Sequence, residues 1–386
     1  MVIHQASKAV ALLCCLCLLL FASACQGAGN TVAQARKAQE QGIATPTPFS
    51  TTATLSTPSP TLTPTSTPKP TPTPMPTAAI TTTHNNGNRP VLAFYYSWYS
   101  PSTWCSCQMS DLPTIQYTSS QTTTIDRQLT WAMQAGISGF ISSWWGPGDA
   151  TDKNLATLLA QTPIIEKNTG DTFASSIYFE SDSPAFTSES AIVNGLRYML
   201  TTYSNNPSFF HWQGKPVLFF WDPLGHGRTL AEWAAIRSQV DPNDQTIWSA
   251  EGVDISMLSV FDGIHLFSGG YWGLQQGDMA AVDEGFRAKV DAYNQANHTQ
   301  KIWAAGVIPG YNDTRIPGRT GTYIVPRNNG ATYQASWQGA MASNPDWITI
   351  TSFNEWFEGS MIEPSVTYNM LYLNLTQQLT QQWRSG

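Results

Sequence analysis

One segment organises the whole sequence: Ile348-Thr-Ile-Thr-Ser-Phe-Asn-Glu-Trp-Phe-Glu-Gly-Ser-Met-Ile-Glu-Pro364. It begins as an apolar, β-branched run, which predicts a buried strand. Directly after this run the segment becomes dense in carboxylates and aromatic side chains. Glu355 and Glu358 are three residues apart, so they cannot share a face of a strand, where the side-chain period is two. In a single turn past the strand end they can lie side by side, with Cβ atoms about 5–6 Å apart.

This spacing suits acid and base chemistry on sugars. Retaining glycosidases place their two carboxyl groups about 5–5.5 Å apart. Neighbouring aromatic residues could stack against a sugar ring and could raise the pKa of one acid by excluding water. The alternative interpretation is structural: Asn354 and Glu355 cap a helix, and Glu358 is solvated.

Composition narrows the class of ligand. Charged residues make up 12% of the 386 residues and aromatic residues another 12%, including 15 Trp. The net charge is −7 without any basic cluster, which argues against a nucleic-acid partner and against electrostatic attachment to a membrane. Few charges and many Trp and Tyr side chains favour neutral, hydroxyl-rich ligands, although much of the Trp must also fill a core.

Motifs for other chemistries are missing from the sequence. There is no H-x-H, H-E-x-x-H, G-x-S-x-G or P-loop pattern, so neither a metal nor an organic cofactor is predicted. Cys105 and Cys107 alone cannot make a four-ligand zinc site. A disulfide across one intervening residue would be strained, so this pair is interpreted as structural or as incidental to redox chemistry.

Three regions are predicted along the chain. Residues 1–24 resemble an export signal with an apolar stretch too short to span a membrane comfortably. Cys25 follows small residues as in a bacterial lipobox and is the expected lipid anchor; because Ala22 stands where Leu is usual, ordinary cleavage after Ala24 is the alternative. Residues 25–88 are rich in Thr and Pro and read as a disordered stalk. The protein is therefore expected to be exported, as a cell-surface lipoprotein or in secreted form.

Residues 89–386 predict a single α/β domain. Strand-like runs alternate with helix-like periodicities, and eight runs qualify as strands: 91–96, 139–144, 174–180, 216–221, 246–250, 263–267, 301–307 and 347–351. Eight alternating strands over nearly 300 residues predict a (β/α)8 TIM barrel. An open doubly wound sheet is less consistent, because no G-x-G-x-x-G follows the first strand.

Active sites of such barrels lie at the C-terminal ends of the strands. Polar and aromatic residues follow every predicted strand, which is hard to explain by packing alone. The substrate-binding residues predicted at this rim are Tyr95, Tyr96, Trp98, Trp144, Trp145, Glu180, Tyr271, Trp272, Tyr311, Asp313, Asn354 and Trp356.

The sequence resembles glycoside hydrolase family 99, the endo-α-1,2-mannosidases and endo-α-1,2-mannanases, over about residues 91–375. The motifs that carry the resemblance are Phe94-Tyr-Tyr-Ser-Trp-Tyr99, Gly136-Ile-Ser-Gly-Phe-Ile-Ser-Ser-Trp-Trp-Gly146, Pro309-Gly-Tyr-Asn-Asp-Thr314 and the segment Thr351–Pro364. Two places depart from the usual family pattern. The loop after the first strand reads Thr103-Trp-Cys-Ser-Cys-Gln108 instead of containing a His-Trp pair, and Ser360-Met361 replaces Thr-Gln.

The resemblance implies an endo-acting enzyme that cleaves α-mannan or high-mannose glycans with retention. It implies that Glu355 removes the proton of the sugar's own 2-hydroxyl, so that O2 attacks C1 and forms a 1,2-anhydro sugar. Glu358 would protonate the leaving oxygen and then activate water. Tyr96, Trp145, Glu180 and Tyr271 would line the sugar subsites, while Asn354 and Glu363 would orient the catalytic pair.

Other functions stay open at this point. A related retaining hydrolase could act on a different α-linked glycan, and a surface protein could bind carbohydrate after its catalysis had lapsed. A structural cell-wall protein would leave the aromatic rim unexplained. The expected partners are therefore a glycan substrate and, through the lipid anchor, a membrane; the protein is expected to be a monomer.

Overall fold

The computed structural model describes residues 89–267 and 278–386, together with Gly269 and Gly273. The predicted signal peptide, Cys25, the stalk, Tyr271 and Trp272 lie outside the described residues. None of the helices in the described part of the chain has both the length and the apolar character needed to cross a membrane.

Eight parallel strands form the centre of the domain. They are β1 (Val91–Tyr95), β2 (Gly139–Trp144), β3 (Ser176–Glu180), β4 (Lys215–Trp221), β5 (Ile247–Glu251), β6 (Gly263–His265), β7 (Ile302–Val307) and β8 (Trp347–Ile350). Each strand pairs with the next strand along the chain, including β3 with β4, and the last strand, β8, pairs with the first, β1. The sheet is thus a closed barrel, and the (β/α)8 TIM barrel predicted from the sequence is confirmed.

Within the described residues, seven longer helices surround the barrel. They are α1 (Thr122–Gln134), α2 (Ala150–Thr169), α3 (Glu189–Tyr203), α4 (Leu230–Val240), α5 (Met279–Asn297), α6 (Ala331–Ala342) and α7 (Leu371–Ser385). Single 3-10 turns lie at Gly225–Gly227, Ile255–Ser259 and Asn328–Gly330. Two short antiparallel additions complete the structure: His211–Trp212 pairs with the start of β4, and Tyr311–Asn312 pairs with Ile324–Val325.

Local sequence signals explain where several helices begin and end. The side chains of Asp149 and Ser188 accept hydrogen bonds from the first turns of α2 and α3, and Thr229 forms a capping box with Glu232 at the start of α4. Gly136 follows α1 with φ +76°, and a Cβ there would meet the Thr380 hydroxyl at 2.4 Å. The helical spacing of Ile125, Leu129 and Met133 predicts a helix that Gly136 ends, and the structure confirms this.

Alternating side chains of the strands form two separate cores. In β1, Val91, Ala93 and Tyr95 face the helices, whereas Leu92 and Phe94 face the barrel interior. The interior is filled by rings and aliphatic side chains, and it contains the buried His265 between Phe94, Tyr178 and Phe219. Its Nδ1 lies 2.9 Å from the Ser249 hydroxyl, and burial lowers its pKa to about 3. The barrel interior is therefore packed and contains a neutral histidine. An active site is expected at the C-terminal ends of the strands, as in other barrels of this kind.

Most differences from the predicted boundaries lie at element ends. The run 263–267 was predicted as strand, but the ladder ends at His265, while Phe267 still faces the interior. A final helix is predicted from about Tyr368 to Trp383, but the observed helix begins at Leu371. Before it, Asn369 has φ +48° and closes a turn onto Ser365, and the backbone of Val366 bonds to Leu112. Such long-range pairings cannot be read from local periodicity.

Candidate active site

The loop after β8 folds into a compact turn held by its own backbone. The amide of Ser352 donates to the carbonyl of Ser360 at 2.9 Å, and the amide of Ser360 donates to the carbonyl of Glu355 at 3.3 Å. The Ser352 hydroxyl accepts a 2.7 Å hydrogen bond from the amide of Glu355. Gly359 has φ +58°, and a Cβ there would meet the Ser110 hydroxyl at 2.4 Å. Glycine is thus required at this position to bring the turn back onto the barrel rim.

Asn354 attaches this turn to the end of β1. Its side-chain oxygen accepts a 2.7 Å hydrogen bond from the amide of Tyr96, and its Nδ2 donates to the carbonyl of Tyr96 at 2.8 Å. Tyr99 makes a second attachment, because its hydroxyl donates to the carbonyl of Asn354 and accepts from the amide of Trp356. These four bonds fix the backbone on both sides of Glu355.

Glu355 is fully buried, with 0% of its surface exposed. Its Oε1 accepts a 3.2 Å hydrogen bond from the amide of Phe357. Burial and the nearby Glu355 carboxylate raise the pKa of Tyr99 well above its ordinary value. Tyr99 therefore keeps its proton and remains a hydrogen-bond donor to the turn.

Glu358, also 0% exposed, has a different environment. Its Oε1 accepts a 2.5 Å hydrogen bond from the Tyr311 hydroxyl and lies 2.9 Å from Nη1 of Arg319. The Nε of Arg319 lies 3.0 Å from Oδ2 of Asp313. The ring of Tyr311 stacks on Tyr323, with centroids 4.4 Å apart. Two neighbouring carboxylates with unlike surroundings are the usual basis for assigning separate acid and base roles.

Aromatic and polar side chains from β1, β2 and β3 form a wall at the same end of the barrel. Tyr96 lies 4.8 Å from Trp98, and Trp98 meets Trp145 edge-on at 6.2 Å, both measured between ring centroids. The Nε1 of Trp145 donates to the Ser143 hydroxyl at 3.1 Å, and that hydroxyl donates to Oε1 of Glu180 at 2.6 Å. This arrangement offers flat ring surfaces beside a carboxylate, which is how proteins hold sugar rings and their hydroxyl groups.

The family is decided by a match over most of the domain. The family model described as "Glycosyl hydrolase family 99" matches residues 105–382. The chain belongs to glycosyl hydrolase family 99. The resemblance inferred from the four sequence motifs is therefore confirmed.

Individual relatives agree with this assignment. The family 99 chain is 25% identical over 291 residues to a mouse glycoprotein endo-alpha-1,2-mannosidase-like protein, covering 69% of this chain and 62% of that one. It is 24% identical over 293 residues to the mouse glycoprotein endo-alpha-1,2-mannosidase, covering 69% and 61%. The chain thus spans about three fifths of the length of these curated relatives.

A solved structure shares the fold. The endo-alpha-mannosidase of family 99 from Bacteroides thetaiotaomicron has a TM-score of 0.63 to this domain at 22% sequence identity. The match covers 76% of this chain and 97% of that chain. The similarity supports the barrel architecture of the family 99 domain independently of the strand assignments.

The structure brings most predicted site residues to the rim of the family 99 barrel, with corrections. Tyr95 and Trp144 face the helices: the Tyr95 hydroxyl donates to Gln128, and Nε1 of Trp144 donates to Asp152. Trp356 is fully buried, and Asp313, 1% exposed, is held by Arg319. All four were predicted to bind substrate. Tyr95 and Trp144 instead pack on the helix side of the strands, whereas contact of Trp356 and Asp313 with substrate stays a prediction, because Glu355 and Glu358 are buried to the same degree.

Several residues that fix the site were not predicted from the sequence. Arg319 and Tyr323 lie in an irregular loop, where no periodicity marks them. Ser352 lies within the motif Thr351–Pro364, but the motif does not show that its hydroxyl accepts from the amide of Glu355. Tyr99 belongs to the motif Phe94–Tyr99. Its hydroxyl contacts the carbonyl of Asn354, which is far away in the sequence, and residue spacing cannot show such a contact. A cluster of metal-binding histidines or cysteines would have been easier to recognise in the sequence. Within the described residues, however, no group of three or more His, Cys, Asp or Glu side chains could hold a metal ion.

The loop after β1 of this family 99 chain contains a disulfide. Cys105 and Cys107 are joined as a disulfide, so neither thiolate is available to a metal. Arg315 donates to the carbonyls of Ser106 and Met109, at 2.8 and 3.0 Å. The disulfide loop is thereby attached to the segment that carries Arg319.

Glu363 anchors the far end of the turn that follows β8. Its carboxylate accepts hydrogen bonds from Gln128 at 2.7 Å, from the Tyr117 hydroxyl at 2.8 Å and from Nε1 of Trp356 at 3.0 Å. Burial raises the pKa of Glu363 from 4.5 to about 7, although these three donors act in the opposite direction. Its predicted role in orienting the catalytic pair has a physical route through Trp356, which directly follows Glu355.

We expect Glu363 to make the folded domain less stable as the pH rises. Because the folded state binds the proton more tightly than the unfolded chain, its stabilising effect is complete below about pH 4.5 and is lost as the pH rises through about 7. The shift corresponds to a free energy of about 3 kcal/mol. Denaturant unfolding at pH 5 and pH 8 should show this loss in the wild type but not in Glu363→Gln. The control is Glu284→Gln, on the exposed surface of α5. An equal pH dependence in Glu363→Gln and the wild type would contradict the expectation.

Proposed function

We propose that this protein is an endo-acting, retaining α-mannosidase that hydrolyses internal linkages of α-mannan or high-mannose glycans. The observation that carries the proposal is the pair Glu355 and Glu358, both buried on one turn at the C-terminal end of the barrel and held by different partners. Family membership and the names of the relatives support the choice of α-mannosidic substrates.

In the first step Glu355 takes the proton of the 2-hydroxyl of the sugar at the cleavage site. The O2 atom attacks C1, the bond from C1 to the leaving oxygen breaks, and Glu358 gives its proton to that oxygen. In the second step Glu358 takes a proton from water, whose oxygen attacks C1. The C1–O2 bond of the 1,2-anhydro sugar breaks, and O2 recovers the proton from Glu355. Each step inverts C1, so the anomeric configuration is retained overall.

The surroundings of the two acids fit these roles. Glu355 must abstract and return one proton without changing position, and its backbone is fixed by Ser352, Tyr99 and Asn354. Glu358 must first donate and then accept a proton. The Arg319 guanidinium favours its carboxylate form, and the Tyr311 hydroxyl can form a hydrogen bond with either form.

Endo action needs room for the glycan beyond the cleavage point. The wall of Tyr96, Trp98, Trp145 and Glu180 offers one stacking surface. A cavity of about 410 Å³ opens between the segments that follow β3 and β4, and its lining includes Asp182, His226 and Arg228. Such a mixture of donors and acceptors suits sugar hydroxyl groups.

The proposal is tested by sizing the products from α-mannan and from a glucosylated high-mannose glycan. Internal fragments longer than one sugar are expected with at least one of them. Release of mannose alone would contradict endo action. Binding without cleavage, by folded protein, would favour a carbohydrate-binding protein whose catalysis has lapsed.

A second candidate is a related retaining hydrolase of another α-linked glycan. It is favoured by the loop after β1, where the disulfide Cys105–Cys107 and Trp104 stand in place of the family's usual His-Trp pair. Trp104 stacks on Tyr99, which contacts the catalytic turn, so this loop lies beside the site. A panel of α-linked glucans and mannans separates the two candidates by their relative kcat/KM.

We also propose that the protein is exported and held at a bacterial cell surface through a lipid on Cys25, with residues 25–88 as the stalk and a monomeric catalytic domain. The support is the order of an apolar run, small residues and cysteine in the sequence. With Cys25→Ser the protein should move from the membrane fraction to the medium, whereas retention in the membrane fraction would contradict the lipid anchor. Intact mass of the wild type checks acylation directly.

A further inference from the structure

Arg319 lies between two buried carboxylates. Its Nε is 3.0 Å from Oδ2 of Asp313 and its Nη1 is 2.9 Å from Oε1 of Glu358. The side chains of Arg319, Asp313 and Glu358 are 9%, 1% and 0% exposed. We propose that Asp313 and Arg319 are positioning residues that set when Glu358 carries a proton, and thereby the pH range of catalysis. The inference rests on the proposed function, in which Glu358 is the acid of the first step.

The charges of these three side chains do not balance when both carboxyl groups are ionised. With both carboxyl groups ionised, one guanidinium faces two carboxylates and the group carries one uncompensated negative charge. Leaving such a charge away from water is costly, so one proton on the pair of carboxyls is favoured. A proton shared in this way neutralises the group without removing the ion pair.

Hydrogen bonding decides which carboxyl takes the proton. Both oxygens of Asp313 accept: Oδ1 from the amide of Tyr323 at 2.9 Å and Oδ2 from Arg319. A carboxyl held at both oxygens by donors is favoured as the charged form. Glu358 accepts from Arg319 and from the Tyr311 hydroxyl, and that hydroxyl also lies 3.4 Å from Oδ2 of Asp313. Asp313, which has a fixed backbone donor besides Arg319, is therefore the counter-ion of Arg319, and the proton belongs to Glu358.

The remaining charged and titratable groups around Glu358 are few among the described residues. Glu355 precedes it by three residues in the same turn, and Tyr311 contacts its carboxyl group. Arg327 reaches the backbone next to it, with Nη2 at 2.8 Å from the carbonyl of Gly359. All three are unchanged in the variants below, so a change in the protonation of Glu358 can be assigned to Asp313 or Arg319.

This balance serves both steps of the proposed reaction. Glu358 must hold a proton when the glycosidic bond breaks and must be a carboxylate when water attacks. Without Asp313, Arg319 would pair with Glu358 alone and keep it ionised. Without Arg319, two carboxylates would face each other without a cation, and Glu358 would keep its proton to higher pH.

The test is a pair of variants with opposite expected effects. The profile of kcat/KM against pH for the glycan should lose activity on its alkaline side at a pH about one unit lower in Asp313→Asn, and about one unit higher in Arg319→Gln. The matched control is Arg315→Gln, in the same loop as Arg319. Within the described residues, the Arg315 guanidinium donates to backbone carbonyls of the loop after β1. Its alkaline limb should stay where the wild type has it.

Shifts in the same direction, or a uniform loss of rate at every pH, would overturn the proposal and leave a purely structural role. If either variant fails to fold, Asp313→Glu and Arg319→Lys keep the charges and should hold the alkaline limb within about half a unit. A limb displaced by more than that in these charge-preserving variants would also overturn it.

A second readout separates this proposal from the proposed function. The carboxyl carbon of Glu358, ¹³C-labelled and identified by its absence in Glu358→Gln, can be titrated by NMR in the folded protein without substrate. The midpoint should fall in Asp313→Asn and rise in Arg319→Gln. Failure to cleave any glycan would then count against the proposed function alone, whereas unmoved midpoints would count against this inference alone.

Discussion

Glu358→Gln should lower kcat/KM for an α-mannan oligosaccharide by about 10³-fold, within the range of general acid catalysis. The oxygen that leaves a glycan is a poor leaving group and needs the proton that Glu358 supplies. A mannosyl substrate with an activated leaving group, such as a fluoride, departs without a proton. For that substrate kcat/KM should fall by no more than about tenfold, because this parameter ends at the first irreversible step.

The substitution should leave glycan binding intact. A glutamine side chain has the shape of glutamate and can still accept the hydrogen bonds that Tyr311 and Arg319 make to Oε1. Calorimetric titration with the glycan provides the control. Equal losses of kcat/KM with the glycan and with the activated substrate would contradict the assignment of Glu358 as the acid.

Glu355→Gln should abolish turnover of both substrates, with a loss of about 10³-fold or more in each. The reason is that the nucleophile is the sugar's own 2-hydroxyl, which attacks poorly unless its proton is removed. A better leaving group cannot replace this base. The backbone bonds that hold Glu355 come from Ser352, Tyr99 and Asn354, so the turn should keep its conformation.

A substrate lacking the 2-hydroxyl separates this scheme from direct attack by Glu355. A 2-deoxy substrate should not be turned over by the wild type, since no O2 is present to attack C1. If Glu355 itself were the nucleophile, the same substrate would react and would leave a covalent sugar adduct visible by intact mass. Wild-type rates in Glu355→Gln would contradict both schemes.

Much of the fold was readable from the sequence because the barrel strands are compact apolar runs. Each of the eight predicted runs overlaps an observed strand, although β4 begins one residue before its run and β5 ends one residue after it, and Gly136 ends α1 as expected. The catalytic turn was readable because it combines strand, turn and paired acids in one segment. The helical and strand periodicities were strong at these places, and tertiary contacts did not override them.

The inward or outward direction of side chains was harder to predict. Both faces of a barrel strand are buried, so a run such as Val91–Tyr95 does not alternate between apolar and polar residues. Tyr95 and Tyr96 are therefore alike in the sequence, although the first packs against the helices and the second faces the site. The same ambiguity led to the wrong assignment of Trp144.

Polar partners of the catalytic pair depend on loops from distant parts of the chain. Arg319 meets Glu358 across 39 positions, and Tyr117 meets Glu363 across 246. Neither contact leaves a periodic or motif signal. Only the folded chain shows that Asp313, predicted to touch substrate, is paired with Arg319.

The most direct test of the proposed chemistry is the anomeric configuration of the first product, followed by ¹H NMR from the moment the protein meets α-mannan oligosaccharides. Attack by O2 and then by water inverts C1 twice, so the new reducing end should appear first as the α-anomer and only later equilibrate. A β-anomer as the first product would mean a single displacement by water, and it would contradict the roles assigned to Glu355 and Glu358.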